Sequence, residues 1–365
     1  MTISLFKVFI PKKLHLKIKK TFDTGYLSEG KISKKFKNKI VNFIKNKNVT
    51  LVNSCTSALT MAYKILDVKD AEVITTPLTC VAANVPLLHQ GAKIVWSDID
   101  LETGMINAEN IEKCITEKTK AISILHKDGQ PADMAPILKI ANKYNLKIIE
   151  DAAHAFGAKI NGKFVGNFGD FTAFSFQAIK QINTADGGAL VCKNSKDFKI
   201  SKKMKWLGLD KENNLKKNIW NNDIKLAGYK FNINDLSSTI GLEQMKFVKG
   251  ILKKNNENGI FFDNELKKIK GIELIKRQNN EFNTYWTYTL LSDQKKLIEN
   301  HLNKNKIQCF QVHPRNDKYT IFNKFKKNLP NLDKFSKREL NIPCGWWVSK
   351  KDREKILKLI KESLN

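Results

Sequence analysis

Short apolar runs alternate with helix-length amphipathic segments through the first 200 residues of the 365-residue chain. Six apolar runs end at turn-forming or polar residues and predict strands, at 72–77, 92–100, 120–126, 146–152, 171–177 and 187–194. Helices are predicted between them, at 56–68, 79–91 and 133–145. Repeated strand–helix–strand units predict an α/β fold with a mostly parallel sheet sandwiched by helices.

The pattern changes after about residue 245. A long amphipathic helix is predicted over 246–269, followed by short strands in "GIELI" and "YWTYTLLS" and a terminal helix at 350–364. We therefore expect two domains, which the long helix links. Residues 1–245 form an N-terminal segment and a large domain, and residues 246–365 form a smaller α+β C-terminal domain.

Polar residues follow several of the predicted strands. Ligands of open α/β sheets bind outside the carboxyl ends of the strands. We therefore expect the functional site where five loops converge: 54–57, 77–80, 126–130, 151–154 and the loop around Lys180.

The formal charge of +28 suggests a polyanionic partner such as nucleic acid. Only four of the 64 cationic residues are arginines, the residue favoured for bidentate contacts to phosphates and bases. The lysines are spread over the whole length with abundant Asn and Ile, which indicates a coding bias. We interpret them as solvated surface and expect no nucleic-acid partner, although a positive field still attracts anionic ligands.

The six cysteines are scattered without a C-x-x-C pair. This spacing predicts neither a metal site nor a disulfide framework and indicates a reducing compartment. Cations interrupt the apolar start of the chain, and no later run reaches membrane-spanning length. We expect a cytoplasmic protein without a membrane partner.

Polar residues of five types, in a fixed order along the chain, suggest the chemistry of the site. Thr56 and Ser57 begin a helix whose first N–H groups attract phosphate, although an ordinary N-cap is the alternative. Asp151 follows a strand, where a carboxylate can hold the protonated ring nitrogen of a pyridine cofactor, and His154 is placed to contact that ring. Lys180 follows an apolar segment, and a desolvated lysine can hold an aldehyde as a Schiff base. Ser175, five residues before it, can offer a hydroxyl to a phosphate. Each residue alone is more often structural.

The stretches "TSALTMAYKIL", "EVITTPLTCVAANVPLLHQGAKIVWSDID", "GQPADMAPILKIANKYNLKIIEDAAHAFGA", "GNFGDFTAFSFQAIKQINTADGGALV" and "GYKFNINDLSSTIGLEQ" carry a family resemblance. Over about residues 50 to 245, and more weakly beyond, the chain resembles the DegT/DnrJ/EryC1/StrS family of sugar aminotransferases. The resemblance implies fold type I of the pyridoxal 5'-phosphate-dependent transferases, with an aspartate aminotransferase-like fold.

The resemblance also implies roles. Lys180 matches the lysine that bonds to the cofactor and moves the proton, and Asp151 matches the carboxylate paired with the pyridine nitrogen. His154 matches a Gln or His that contacts the ring, and Thr56, Ser57 and Ser175 match phosphate-binding positions. The family implies a homodimer with shared active sites, in which Asn232 or Lys230 reaches into the neighbouring site.

Three positions depart from the commoner family pattern. Cys80 stands where many members carry an aromatic residue that stacks on the cofactor. Asp128 replaces a frequent Tyr on the substrate side, and Asp186 replaces a Glu. Lys180 is retained, whereas related dehydratases carry histidine there.

The expected reaction moves an amino group from an amino acid, glutamate, to a nucleotide-linked keto-deoxy sugar for surface polysaccharide or glycan synthesis. The "SFQAIKQINTADGG" stretch resembles members that act at C4 of a 4-keto-6-deoxyhexose carried on GDP, UDP or dTDP. His313, Arg315 and Asp317 are substrate-side candidates, or part of a surface turn around Pro314. A C3-acting enzyme and a non-catalytic binding or regulatory relative are the alternatives.

Overall fold

The computed structural model describes residues 2–211 and 219–364. Its strands are β1 (Val49–Val52), β2 (Glu72–Thr75), β3 (Lys93–Trp96), β4 (Thr119–Leu125), β5 (Lys147–Asp151), β6 (Lys159–Ile160), β7 (Lys163–Phe164), β8 (Phe171–Ser175), β9 (Gly188–Cys192), β10 (Glu273–Leu274), β11 (Glu281–Phe282), β12 (Tyr288–Leu291) and β13 (Glu339–Ile342).

The α-helices of the same residues are α1 (Leu14–Asp23), α2 (Lys31–Ile44), α3 (Cys55–Leu66), α4 (Val81–His89), α5 (Ala108–Glu112), α6 (Met134–Lys143), α7 (Ser195–Met204), α8 (Asp235–Gln244), α9 (Val248–Leu266), α10 (Lys295–Lys304), α11 (Pro330–Arg338) and α12 (Lys350–Leu364). The predicted helices correspond to α3, α4, α6, α9 and α12, and the six predicted strands of the sheet correspond to β2, β3, β4, β5, β8 and β9. These predictions are confirmed.

Within the described residues, the central sheet has seven strands in the order β1-β9-β8-β5-β4-β2-β3. Strands β3, β2, β4, β5 and β8 run parallel, and β9 runs antiparallel to both of its neighbours. The expected mostly parallel α/β sheet is confirmed.

The strands are buried along most of their length because helices cover both faces of the sheet. In β9, Leu190 and Cys192 belong to one buried cluster, while Ala189 and Val191 belong to another. Side chains of a strand alternate between the two faces. The two clusters are therefore the cores on opposite sides of the sheet.

The parallel strands align their carboxyl ends, since Leu125 of β4 is level with Asp151 of β5, and Asp151 is level with Ala173 of β8. The loops that follow these strands therefore open at one edge of the sheet. This edge carries the candidate site.

The C-terminal part of the chain forms a second sheet that has its own helices. The 19-residue α9 leads into the antiparallel sheet β10-β12-β13, and α10 and α12 share a third buried cluster with it. The N-terminal segment crosses to this part, because Ile3 bridges Ile307 and the Ser4 carbonyl accepts a hydrogen bond from the Trp347 indole. The boundary after residue 245 stays a prediction.

Candidate active site

The carboxylate of Asp151 is buried at the carboxyl end of β5, with 5% of its surface exposed. Its Oδ1 accepts a hydrogen bond from the Ala153 N–H at 3.1 Å and lies 4.0 Å from the Cys55 Sγ. Burial raises the pKa of Asp151 above its ordinary value, while the Ala153 N–H and the positive charge of Lys180 act in the opposite direction. A carboxylate in this position can hold a protonated ring nitrogen.

Lys180 lies in the loop between β8 and β9, facing Asp151. Its side chain is half-buried, and desolvation lowers the pKa of its amine to about 8, although Cys55 and Asp151 act to raise it. A lysine with this pKa has a substantial neutral fraction near pH 7 to 8, and the neutral amine is the nucleophile. The structure therefore brings together the two residues on which the predicted chemistry depends.

The N-terminus of α3 forms a third side of the site. Ser54 is the N-cap, because its Oγ accepts the Ser57 N–H at 3.0 Å. The Ser57 hydroxyl donates to Asn53 Oδ1 at 2.7 Å. The N–H groups of Cys55 and Thr56 lie in the first helical turn, where no intrahelical acceptor exists. The N-cap alternative thus applies to Ser54, and Thr56 and Ser57 follow it at the helix N-terminus.

Ser175 ends β8 and is level with Gly188 of the neighbouring strand β9. A Cβ on Gly188 would lie 2.5 Å from the Ser54 carbonyl carbon and 2.6 Å from the Cys55 nitrogen. Only glycine therefore lets β9 pass this close to the start of α3. This close approach brings the Ser175 hydroxyl to the same side of the sheet edge as the α3 N-terminus.

The His154 ring is enclosed by aromatic residues. Its centroid lies 3.9 Å from that of Trp286 at an interplanar angle of 15°, and the His313 ring stacks on it at 5.2 Å. Burial, with the nearby positive charge of Lys180, holds the pKa of His154 well below its ordinary range. The Asp128 N–H donates to Nδ1 at 3.4 Å, so we assign the neutral ring proton to Nε2.

The sequence matches a known protein family over nearly its whole length. The model of the DegT/DnrJ/EryC1/StrS aminotransferase family matches residues 10–361. The chain belongs to this family. It is therefore an aminotransferase, and the cofactor of this family is pyridoxal phosphate.

Two curated relatives and one solved structure illustrate the similarity. A UDP-4-amino-4,6-dideoxy-N-acetyl-beta-L-altrosamine transaminase of Campylobacter jejuni is 31% identical over 93% of this chain and 90% of its own. A dTDP-4-amino-4,6-dideoxy-D-glucose transaminase of Shigella dysenteriae is 33% identical over 73% of this chain and 70% of its own. The crystal structure of AtS13 from Actinomadura melliaura has a TM-score of 0.94 at 29% identity, covering 99% of this chain and 98% of that chain. The expected fold type I architecture is confirmed.

Cys80, where many family members have a stacking aromatic residue, is the N-cap of α4 and is partly exposed. Its thiol is close enough to act electrostatically on both Cys55 and Lys180. The position is therefore part of the site wall.

The candidate substrate residues lie on a loop that is fixed to the large sheet. Asn316 donates to the Thr79 carbonyl at 2.7 Å and accepts from Asn84 at 2.8 Å. This docking places His313 against His154, with 3.3 Å between their Nε2 atoms. Arg315 forms ion pairs with Asp317, at 2.7 Å, and with Asp333. The loop is thus built into the site edge, and the binding roles of His313 and Arg315 stay predictions.

Asp128 has an αL backbone (φ 53°) and a carboxylate in a buried network. Oδ2 accepts hydrogen bonds from Lys127, from Thr289 at 2.6 Å and from Asn341 at 3.4 Å. Lys127 also contacts Glu339 at 2.5 Å. The carboxylate therefore joins the large sheet to β12 and β13, and only its backbone N–H bonds to the site histidine.

Asn232 and Lys230 flank Phe231, which lies beside the residues that lead into α3. The intervening Phe231 carbonyl accepts the Asn53 N–H at 2.8 Å, Lys230 Nζ donates to Asn232 Oδ1 at 2.8 Å, and the same Nζ lies 3.6 Å from the Trp206 ring centroid. The two candidate residues are thus hydrogen-bonded to each other. The reach of either one into a neighbouring site stays a prediction. Asp186 lies in the turn before Gly187 and is exposed.

Trp286 is the site residue that the sequence pattern missed, because "YWTYTLLS" predicts only a strand. It precedes β12, is 4% exposed and contacts both His154 and Lys180. No local signal marks it, since its partners lie more than 100 residues away.

Among the residues that the structure describes, no group of three or more His, Cys, Asp or Glu side chains is arranged to hold a metal ion. None of the described helices has the length and apolar character needed to span a membrane.

Proposed function

We propose that this aminotransferase uses pyridoxal 5'-phosphate to move the amino group of glutamate to C4 of a nucleotide-linked 4-keto-6-deoxyhexose. The observation that carries the proposal is the meeting of Lys180 and Asp151 beside the N-terminus of α3. An amine with a lowered pKa, a buried carboxylate and a helix N-terminus are the three groups that the aldehyde, the ring nitrogen and the phosphate of this cofactor require.

The residues present fit the cofactor. Gly188 keeps β9 close to the first turn of α3, so the N–H groups of Cys55 and Thr56 and the hydroxyls of Thr56 and Ser175 would form one donor set for a phosphate. The Ser57 hydroxyl would join this set only by leaving Asn53. Asp151 would hold the ring nitrogen, and Lys180 would hold the aldehyde carbon. When bound, the cofactor supplies an electron sink for the carbanion that forms as the amino group is exchanged.

Lys180 carries the proton transfers. Its amine would accept the proton from the carbon that gives up the amino group and would return a proton to the carbon that receives it. This general acid–base role needs a pKa near the working pH, and the pKa of about 8 meets that need. Asp151 keeps a negative charge next to the ring nitrogen throughout.

His154 orients the ring as a neutral group. The Asp128 N–H occupies Nδ1 and the Nε2–H points to His313 Nε2, so both ring nitrogens are engaged and the imidazole plane is fixed against Trp286. A neutral ring in this position adds no positive charge that would compete with the protonated ring nitrogen for Asp151.

The sugar nucleotide binds on the side of His313 and Arg315. Arg315 lines a cavity of about 300 Å³ with Lys318, Lys326 and Lys327. Four cations against the two carboxylates of Asp317 and Asp333 leave a positive charge that suits the diphosphate of a nucleotide sugar. His313 precedes Arg315 by two residues and contacts His154 of the site.

Transfer to C4 is supported by the names of the two relatives described above, which are both transaminases of 4-amino-4,6-dideoxy sugars. Their carriers differ, one being UDP and the other dTDP, so the carrier is open among UDP, dTDP and GDP. The enzyme acts as a homodimer in the cytoplasm, with Asn232 or Lys230 of one protomer completing the site of the other.

Incubation of the purified enzyme with glutamate and a panel of nucleotide-linked 4-keto and 3-keto sugars tests the proposal. Mass analysis and NMR of the products are expected to place the new amine at C4 of one 4-keto-6-deoxyhexose. An amine at C3 would replace the proposal with a C3-acting enzyme. Absence of any product, with glutamate also left unconverted, would favour a non-catalytic relative.

A further inference from the structure

Trp286 joins three parts of the chain at the catalytic lysine. Its backbone N–H donates to the Asp128 carbonyl at 2.8 Å, and its indole Nε1–H donates to the Ile179 carbonyl at 2.9 Å. Ile179 directly precedes Lys180, so the indole fixes the peptide from which the lysine side chain departs. The ring also stacks on Phe6 of the N-terminal segment at 4.7 Å.

The ring face of Trp286 lies against the lysine amine. Lys180 Nζ is 3.7 Å from the ring centroid, well within the distance at which an ammonium group is attracted to an indole face. Trp286 is almost fully buried, which strengthens such an attraction because water does not compete with it. The contact favours the protonated amine over the neutral one.

From this geometry we propose that Trp286 is a positioning residue for the proton transfers of Lys180. Its indole N–H holds the loop, and its ring face binds the ammonium that forms each time the amine accepts a proton. The inference rests on the proposed role of Lys180, but it concerns a residue to which neither the family pattern nor the sequence assigns a function.

Burial and the Trp286 ring face shift the pKa of the Lys180 amine in opposite directions. Desolvation lowers the pKa of the amine to about 8, and an attractive ring face raises it, because the face stabilises the charged form. The other charged or titratable groups that face the amine are Asp151, Cys55, Cys80, Asp128, His154 and His313. Removal of the ring face alone is therefore expected to lower the pKa further.

Two substitutions separate the ring face from the indole N–H. Trp286→Phe keeps an aromatic face and removes the donor, whereas Trp286→Leu removes both. Trp347→Leu is the matched control, because it removes an indole that donates to the Ser4 carbonyl and packs away from the lysine. Circular dichroism establishes that each variant is folded.

The readout is the pKa of Lys180 in the full-length, cofactor-free chain. The protein is treated with cyanate over a series of pH values, and peptide mass analysis follows carbamylation at residue 180. We expect Trp286→Leu to lower this pKa by about one unit, and Trp286→Phe and Trp347→Leu to leave it near the wild-type value.

The proposal is overturned if folded Trp286→Leu titrates like wild type, or if Trp286→Phe shifts as far as Trp286→Leu, which would assign the effect to the N–H. A shift of equal size in Trp347→Leu also overturns it. Because carbamylation needs no sugar substrate, its outcome is independent of whether the enzyme acts at C4, at C3 or on another acceptor.

Discussion

The rings of His313 and His154 are nearly parallel, with their planes at 5°, and their Nε2 atoms lie 3.3 Å apart. Since the Nε2 of His154 carries the proton, the Nε2 of His313 accepts it. If His313 were protonated, its Nε2–H would face the Nε2–H of His154, and neither could accept a hydrogen bond. The pair therefore ties the substrate-side loop to the cofactor side of the site only while both rings are neutral.

This contact predicts that the folded protein loses stability as the pH falls. Burial and the charge of Lys180 lower the pKa of His313 to about 3 from an ordinary value of 6.5. Between these values the unfolded chain binds a proton that the folded chain does not, so stability is present above pH 6.5 and is lost as the pH falls. We expect His313→Asn to reduce the slope of unfolding free energy against pH by up to about 1 kcal/mol per pH unit.

Urea titrations between pH 7 and pH 4 measure that slope. His15→Asn, at an exposed position on α1, serves as the control and should leave the slope unchanged. An unaltered slope in His313→Asn would mean that the ring is not held neutral.

Gly129 is expected to be intolerant of a side chain. Its φ is +97°, and a Cβ there would lie 2.7 Å from both Thr284 Oγ1 and the Tyr285 nitrogen. Gly162 has a φ of +77° with nothing within 4 Å, so Gly162→Ala carries the backbone strain alone. We expect Gly129→Ala to cost about 1–3 kcal/mol more than Gly162→Ala in urea unfolding. Equal costs would show that the chain adjusts at the Trp286 loop.

The buried pair of His126 and Glu150 is expected to be a structural requirement of the sheet edge. The side chains are fully buried, with Nε2 2.9 Å from Oε2. Burial would raise the pKa of Glu150, but hydrogen bonds from His126, Gly169 and Thr172 lower it. The Ala132 N–H donates to His126 Nδ1 at 3.0 Å, so the ring is a neutral donor through Nε2. His126→Ala removes this hydrogen bond from a buried carboxylate, and we expect a loss of about 1.5–3 kcal/mol.

The double variant His126→Ala/Glu150→Gln tests whether the charge of Glu150 causes this loss of stability. It should recover part of the loss in urea unfolding, because the remaining amide is neutral. If the double variant is no more stable than His126→Ala, charge burial does not account for the cost.

Shared active sites predict complementation between inactive variants. Lys180→Ala and Asn232→Ala each disable both sites of a homodimer, but a mixed dimer contains one site with both native residues. Refolding equal amounts together is expected to restore about a quarter of wild-type activity, since half of the dimers are mixed and each has one working site. Lys230→Ala in place of Asn232→Ala tests the other candidate. Failure of both combinations would contradict the shared site.

The sequence predicted six of the seven strands described in the central sheet, and the site residues it pointed to follow from local patterns. Strand ends and helix starts place Asp151, Lys180 and the α3 loop without knowledge of the fold. Contacts between distant residues were not predictable in this way. Asp235 caps α2 by accepting the Ser33 N–H at 2.8 Å from 202 positions away, and the strands β1 and β13 were not recognised. Trp286 contacts His154 across 132 positions, and only the folded chain reveals that contact.

Borohydride reduction of the enzyme purified with its cofactor tests the central claim most directly. Reduction fixes the cofactor on the lysine to which it is bonded, and peptide mass analysis locates the attachment. The account predicts a phosphopyridoxyl group on Lys180 and its loss in Lys180→Ala. Attachment at another lysine, or a cofactor that reduction leaves unattached, would contradict it.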